Sequence, residues 1–191
     1  MTNDCGHTEA GNWFDPKLTV DSVKEDSGNL KTLDINLLGT LRFARIAAVF
    51  LRENRQKGQD RSLVLLSSVN AFRESPGLYI YQTGKHAVQG ILRSSRKILW
   101  ERDGIRINAM CPGVTDTPMT GGVIAAFRDN NLYWQPPEAV AKVIAGMFAD
   151  PSIRGKAFYI EGGGAWEFED SFYNEQPRWL GESSSKWQRQ I

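Results

Sequence analysis

The chain has 191 residues, 41% of them hydrophobic, and a formal net charge of +1, which supplies apolar material for one globular core. The near-balanced charge argues against a nucleic-acid partner, and the absence of any run of about 18 apolar residues or of a signal-peptide pattern argues against a membrane span and makes a cytoplasmic location the default. Cys5 and Cys111 do not make a disulfide framework and read as reduced thiols, while His7 and His86 give neither a catalytic triad nor metal spacing.

In chain order, the first strong signal is a helix over 29–56. Its stretch Leu41, Phe43, Ile46, Val49, Phe50, Leu51 is more apolar than one buried face needs; a second partner or a wholly intrachain core both account for that. Asn36, taken alone, reads as a helix-surface or helix-cap asparagine. Residues 62–66, Ser-Leu-Val-Leu-Leu, form a short continuous apolar run, as expected of a parallel strand buried on both faces. Ser67 and Ser68 then fall at its carboxyl end, where ligands gather in open α/β sheets. A serine there holds a substrate oxygen or bonds a local backbone group, and the pattern alone favours the turn.

The next helix covers 79–101, with Val88, Ile91, Leu92, Ile98 and Leu99 on its apolar stripe. Tyr81 and Lys85 stand at i and i+4 on it. A free phenol titrates at about 10, so a neighbouring ammonium is what would favour the phenolate for acid/base work at neutral pH. A packed tyrosine followed by a solvated lysine gives the same spacing. A strand over 106–111 stops at Pro112-Gly113, after which Val114, Thr115 and Thr117 offer backbone groups and hydroxyls to a polar ligand; a capped turn into a surface loop fits equally well.

Residues 118–135 read as a loop whose Phe127, Tyr133 and Trp134 either line a pocket for a bulky apolar substrate or anchor the loop to the core. A helix over 137–149 opens at Pro136-Pro137-Glu138, and a last strand over 157–161 runs into Gly162-Gly163-Gly164. From Trp166 to Ile191 the expectation is a tail over the surface, disordered in part. The division is therefore a domain over 1–165 and a tail over 166–191.

Four motifs in this order, Asp34-Ile35-Asn36-Leu37-Leu38-Gly39-Thr40, Ser68, Tyr81-x-x-x-Lys85 and Pro112-Gly113, resemble the short-chain dehydrogenase/reductase family. The segment Phe158-Tyr159-Ile160-Glu161-Gly162-Gly163-Gly164 is similar to the family's last strand and glycine turn. The branch that looks nearest holds the fungal relatives of hydroxyprostaglandin dehydrogenases and secondary-metabolite reductases. The resemblance implies an α/β, doubly wound, parallel-sheet Rossmann fold and NAD(P)-dependent hydride transfer between a nicotinamide and a secondary alcohol or ketone.

It also implies residue roles. Tyr81 would exchange the proton, Ser68 would orient the substrate oxygen, and Lys85 would lower the tyrosine pKa and hold the nicotinamide ribose. Asn36, in a helix whose backbone it locally distorts, would hold a water linking Lys85 to solvent. Pro112, Gly113, Val114, Thr115 and Thr117 match positions that meet the carboxamide or phosphate end of NAD or NADP. In the family the 41–51 and 79–101 helices pair across a dimer, so a homo-oligomer or a pairing with a full-length homologue is implied.

A dinucleotide fold needs a glycine-rich turn after its first strand. Neither Gly121-Gly122 nor Gly162-Gly163-Gly164 has that context. The expectation is a chain that lacks the family's first three strands and the adenosine half of the cofactor site, starting at a family position altered here to Asn3-Asp4-Cys5-Gly6. Such a chain would fold poorly alone, with an open sheet edge. The alternative to an enzyme is then a truncated, catalytically inactive relative that acts as an interaction partner or not at all.

Overall fold

The computed structural model describes residues 2–3, 12–25, 30–53, 56 and 58–188. Asp4, Cys5, Gly6 and His7 lie outside the described residues, as do the last residues of the tail.

Five strands form one sheet in the order β1-β2-β3-β4-β5. They are β1 (Thr2–Asn3), β2 (Arg61–Leu66), β3 (Ile105–Pro112), β4 (Ala157–Glu161) and β5 (Gly164–Glu167). The first four are parallel neighbours, with Leu66 opposite Met110 and Pro112 opposite Ile160. Parallel neighbours need long crossovers, and helices provide them: α4 (Tyr79–Asp103) joins β2 to β3, and α6 (Pro137–Ala149) lies between β3 and β4. The continuous apolar runs are buried on both faces. Leu63 and Leu65 face α3 (Thr40–Glu53) and α4, while Val64 joins Met110 and Ile160 against Val140 and Met147 of α6. This is the α/β, doubly wound layering expected from the sequence.

The three sequence-read helices are present within a few residues of their expected bounds. The first is not uniform: α2 (Lys31–Leu33) passes into a π-helical turn, Asp34–Gly39, before α3 continues. There the Thr40 N–H reaches Leu37 O, and the Thr40 hydroxyl takes up Asn36 O at 2.7 Å. A π-bulge of this kind is commonly tied to function, and it coincides with the distortion the family resemblance assigns to Asn36. Helix α4 ends at Gly104, whose left-handed φ of 61° lets its N–H close on Leu99 O and Trp100 O.

Three features depart from the sequence reading. A short helix α1 (Val20–Glu25) precedes α2, and the stretch taken as a loop over 118–135 holds a 3-10 turn (Pro118–Thr120) and α5 (Gly121–Asp129). The glycine segment is a hairpin: Gly162 and Gly163 both have positive φ, as a two-residue turn with the sheet's twist requires, and β5 returns antiparallel with Tyr159 opposite Trp166. That strand runs through Trp166, where the tail was expected to begin.

The tail itself is helical and docked, through α7 (Glu169–Asn174), α8 (Gln176–Leu180) and α9 (Glu182–Gln188). Phe168 packs on the α3/α4 core, and the fully buried Glu169 accepts from Arg93 Nε at 2.5 Å. Arg93 also covers the Phe172 ring, and Arg96 the Tyr173 ring. A charge-rich tail looks solvated as a string of letters; here Glu169 meets Arg93 and Arg96 on α4, and Asp170 meets Lys156.

A buried arginine closes the opposite end of the sheet. Arg106, fully buried, is held by Asp60 through two hydrogen bonds and donates to the carbonyls of Met147, Phe148 and Ile153. It satisfies open carbonyls at the end of α6 and fixes that helix to the start of β3.

Candidate active site

The strand ends build the site. Beyond Leu66 the chain leaves β2, and Ser68, in extended backbone, caps the 3-10 turn Val69–Ala71 by accepting from Asn70 N at 3.2 Å. The turn reading of Ser68 is therefore realised, and it does not exclude the other, because the same hydroxyl also hydrogen-bonds the Tyr81 phenol. Tyr81, in the first turn of α4, is buried, with its ring beneath the Lys85 ammonium, 5.6 Å from the ring centroid.

Lys85 is fixed at both ends. Its Nζ donates to Leu66 O at 3.2 Å, and its own carbonyl accepts the Ser67 hydroxyl at 2.9 Å. Asn36 is fully buried and reaches this group through a close helix contact. A Cβ on Gly84, between Tyr81 and Lys85, would stand 3.4 Å from Asn36 Cβ, so the small residue allows the π-helical turn to lie directly on α4. Ser68, Tyr81, Lys85 and Asn36 are thus brought together from three chain segments.

The electrostatics differ from the sequence expectation in one respect. Burial pushes the Tyr81 phenol above the ordinary tyrosine range, and the Ser68 hydroxyl pulls it back only in part. The net direction is upward, against the downward pull expected of Lys85, so the phenol is held as a proton donor.

Pro112, the last residue of β3, and Gly113, Val114, Thr115 and Thr117 in the loop after it lie one strand over. Gly113 N–H donates to Ile160 O at 2.8 Å, and the Thr115 hydroxyl turns back to Gly113 O at 3.1 Å. Thr117 sits at the start of the Pro118–Thr120 turn, its N–H bonded to the Thr120 hydroxyl at 3.0 Å. These five residues lie at the end of β3 and in the loop after it, on the strand neighbouring β2.

Sequence reasoning missed Gln135. Its backbone accepts from Asp116 N–H and donates to Val114 O, and its buried carboxamide N–H donates to Ile160 O at 3.0 Å, leaving Oε1 with no partner among the described residues. No local pattern marks it, because its role comes from a bridge to Thr115 across 20 residues. Gln89 was missed too, and Cys111 was read only as a reduced thiol. Gln89 donates to Cys111 Sγ at 2.8 Å behind Ser67, and burial pushes that thiol up to about 12, so it is not a nucleophile at neutral pH. Gln89 could have been found as the next turn of α4 after Lys85.

Known proteins share this fold. The chain is 28% identical over 189 residues to 5'-hydroxyaverantin dehydrogenase of Dothistroma septosporum, an alignment that covers 89% of this chain and 61% of that protein. The crystal structure of 3-oxoacyl-[acyl-carrier protein] reductase from Brucella melitensis in complex with NAD superposes with a TM-score of 0.69 at 24% identity, over 85% of this chain and 65% of that one. A 4-hydroxyisoleucine dehydrogenase complexed with NADH superposes with a TM-score of 0.63 at 26% identity, over 85% and 66%. With its Tyr81, Lys85 and Pro112-Gly113 segments all inside residues 10–126, the stretch that matches the short chain dehydrogenase profile, the chain belongs to the short-chain dehydrogenase/reductase family of oxidoreductases.

Proposed function

We propose that this chain carries the catalytic centre of an NAD(P)-dependent oxidoreductase that interconverts a secondary alcohol and a ketone. The observation that carries the reading is the buried convergence of Ser68, Tyr81, Lys85 and Asn36 at the carboxyl end of β2. Nicotinamide, when bound, supplies or takes the hydride. The residues present suit its reactive end: Lys85 brings a buried cation for the ribose, and Gln135 Oε1, beside Thr115 and without a partner among the described residues, is an acceptor that a carboxamide N–H would satisfy.

In ketone reduction, Tyr81 Oη gives its proton to the forming alkoxide, and a phenol held protonated by burial is ready for that step. Ser68 orients the same oxygen by a second hydrogen bond. Lys85 stabilises the phenolate left behind, and Asn36, in the π-helical turn, holds the path by which a proton returns. Pro112, Gly113, Val114, Thr115 and Thr117 are the residues that would hold the nicotinamide.

A role in secondary-metabolite biosynthesis, in the cytoplasm, extends the proposal. It is supported by the similarity to 5'-hydroxyaverantin dehydrogenase, and among the described residues no helix is long and apolar enough to cross a membrane. Pairing of α3 and α4 with a second copy is proposed as well, because Leu41, Ile46 and Phe50 stand exposed on α3. The test is turnover of a panel of secondary alcohols and ketones with both dinucleotides, in the parent and in Tyr81→Phe. Loss of turnover with retained fold is expected; a Tyr81→Phe chain that still turns over would remove Tyr81 from the reaction. A folded chain that never binds dinucleotide would favour the non-enzymatic reading.

A further inference from the structure

Aromatic rings from three separate stretches gather at the carboxyl end of β4 and stay about half exposed, Phe72 although it also packs on Phe168 at 4.7 Å. Phe72, four residues after Ser68, is 47% exposed, Trp166 of β5 is 55% exposed, and Tyr133, which lies on the Gly162 turn, is 63% exposed. Tyr159 stands between two of them, edge-on to Phe72 at 5.9 Å and tilted against Trp166 at 5.7 Å. The Trp166 indole folds over Gly164, the residue opposite Glu161, and so leans toward the strand ends that carry the site. Leaving three large rings in water in one place forgoes burial that such side chains otherwise gain.

Two contacts make the rings continuous with the catalytic centre. On one side, Phe72 closes the turn that Ser68 opens, its N–H on Val69 O. On the other, the Glu161 carboxylate hydrogen-bonds the Tyr159 hydroxyl and lies against Gly113, where an added Cβ would come within 3.2 Å of Oε1. Burial first, and Glu161 second, push Tyr159 up to about 12, so it remains a neutral ring. The rings therefore run from beside the Ser68 turn to beside Gly113. The patch is a few rings wide and polar at its Glu161 edge, a scale that suits a small molecule.

We infer that Phe72, Tyr159 and Trp166 form the substrate-recognition wall, and that the substrate is a planar aryl ketone or aryl carbinol whose oxygen meets Ser68 and Tyr81 while its ring stacks on this wall. The inference rests on the oxidoreductase reading and names its substrate class. An aliphatic ketone of the same skeleton gains area but not offset or edge-to-face stacking, which separates the two classes by about tenfold in affinity.

The experiment is calorimetric titration of the purified chain, with and without NADH, by 1-tetralone and by its saturated counterpart 1-decalone. The aryl ketone is expected to bind about tenfold more tightly. Trp166→Leu and Phe72→Leu, on different elements, both at exposed positions and both keeping apolar area while removing the ring, should each bring the two ketones to within about twofold with little change in 1-decalone affinity. Ser68→Ala and Tyr81→Phe should weaken both ketones alike. Equal affinities, no binding of either ketone, a preference untouched by both ring variants, or binding indifferent to Ser68 and Tyr81 would each overturn the inference. Ring preference without any hydride transfer would support the wall and count against the reaction; 1-decalone turned over as well as 1-tetralone would overturn the wall and leave the reaction standing.

Discussion

Glu169→Ala is the perturbation that most sharply separates a docked tail from a solvated one. The Glu169 side chain is fully buried, bonded to Arg93 Nε at 2.5 and 3.1 Å and 3.9 Å from Arg96. Removing one partner of a buried pair costs roughly 3–5 kcal/mol. Two observations reduce that here: the Arg93 side chain is 36% exposed and can rehydrate, and Arg96 keeps Gly155 O at 2.9 Å. About 2–3 kcal/mol is then expected, which at roughly 2–4 °C per kcal/mol for a chain of this size lowers Tm by about 5–10 °C. Glu169→Gln, which keeps shape and one acceptor, should lose about half as much. The assay is thermal unfolding by circular dichroism with limited proteolysis over 168–188, and a double-mutant cycle with Arg93→Met to isolate the pair. A Tm within about 1 °C of the parent, with no new cleavage beyond Phe168, would refute the docked tail and return it to the surface.

Three further outcomes follow from buried contacts. Gly84→Ala should be tolerated, since its Cβ would meet Asn36 and Leu33 at ordinary contact distance, whereas Gly84→Val should cost about 1–3 kcal/mol and impair turnover by displacing the π-helical turn; equal stability of the two variants would argue against the close contact. The Cys111 thiol, raised from 9.0 to about 12, should resist a thiol reagent at pH 8 until the chain unfolds. Because its folded pKa lies above the unfolded one, its contribution to stability is complete below about pH 9 and is lost as pH rises toward 12, so Cys111→Ala should flatten the alkaline limb of an unfolding profile, and an unchanged limb would contradict this. Arg106 holds the Asp60 carboxyl below its ordinary value, so that carboxylate stabilises the fold above the unfolded value of 3.8 and stops doing so as pH falls through the folded one. Asp60→Asn should therefore cost about 2 kcal/mol at neutral pH and little in acid, and an equal cost at both would refute the pairing.

The parts legible in the sequence are those whose cause is local. A continuous apolar run marks β2, three- and four-residue spacing marks α4, and i, i+4 spacing puts Tyr81 beside Lys85 before any coordinate is known. The π-helical turn at Asn36 came from family resemblance; nothing in the periodicity of 29–56 announces it. What stayed hidden depends on distant partners. Arg106 reads as an ordinary strand-edge charge until Asp60 and the end of α6 close on it, and Gln135 acquires its place only through Thr115 and Ile160. Gly162-Gly163 was visible as a turn, but the strand after it was not, since Gly-Ala-Trp-Glu has little β pattern and is held by pairing with β4. The net direction of the Tyr81 shift was equally out of reach, because burial is a property of the fold and outweighs the Lys85 spacing that the sequence displays.

The central claim is that Tyr81, Lys85 and the Pro112–Thr117 segment make a nicotinamide site in this chain. Its most direct test is a titration of the purified, folded chain with NADH and with NADPH, followed by quenching of tryptophan emission, alongside Lys85→Ala. Saturable binding with a dissociation constant in the micromolar range, weakened about tenfold or more in Lys85→Ala, is the predicted result. No quenching by either dinucleotide, or identical affinity in Lys85→Ala, would contradict the account.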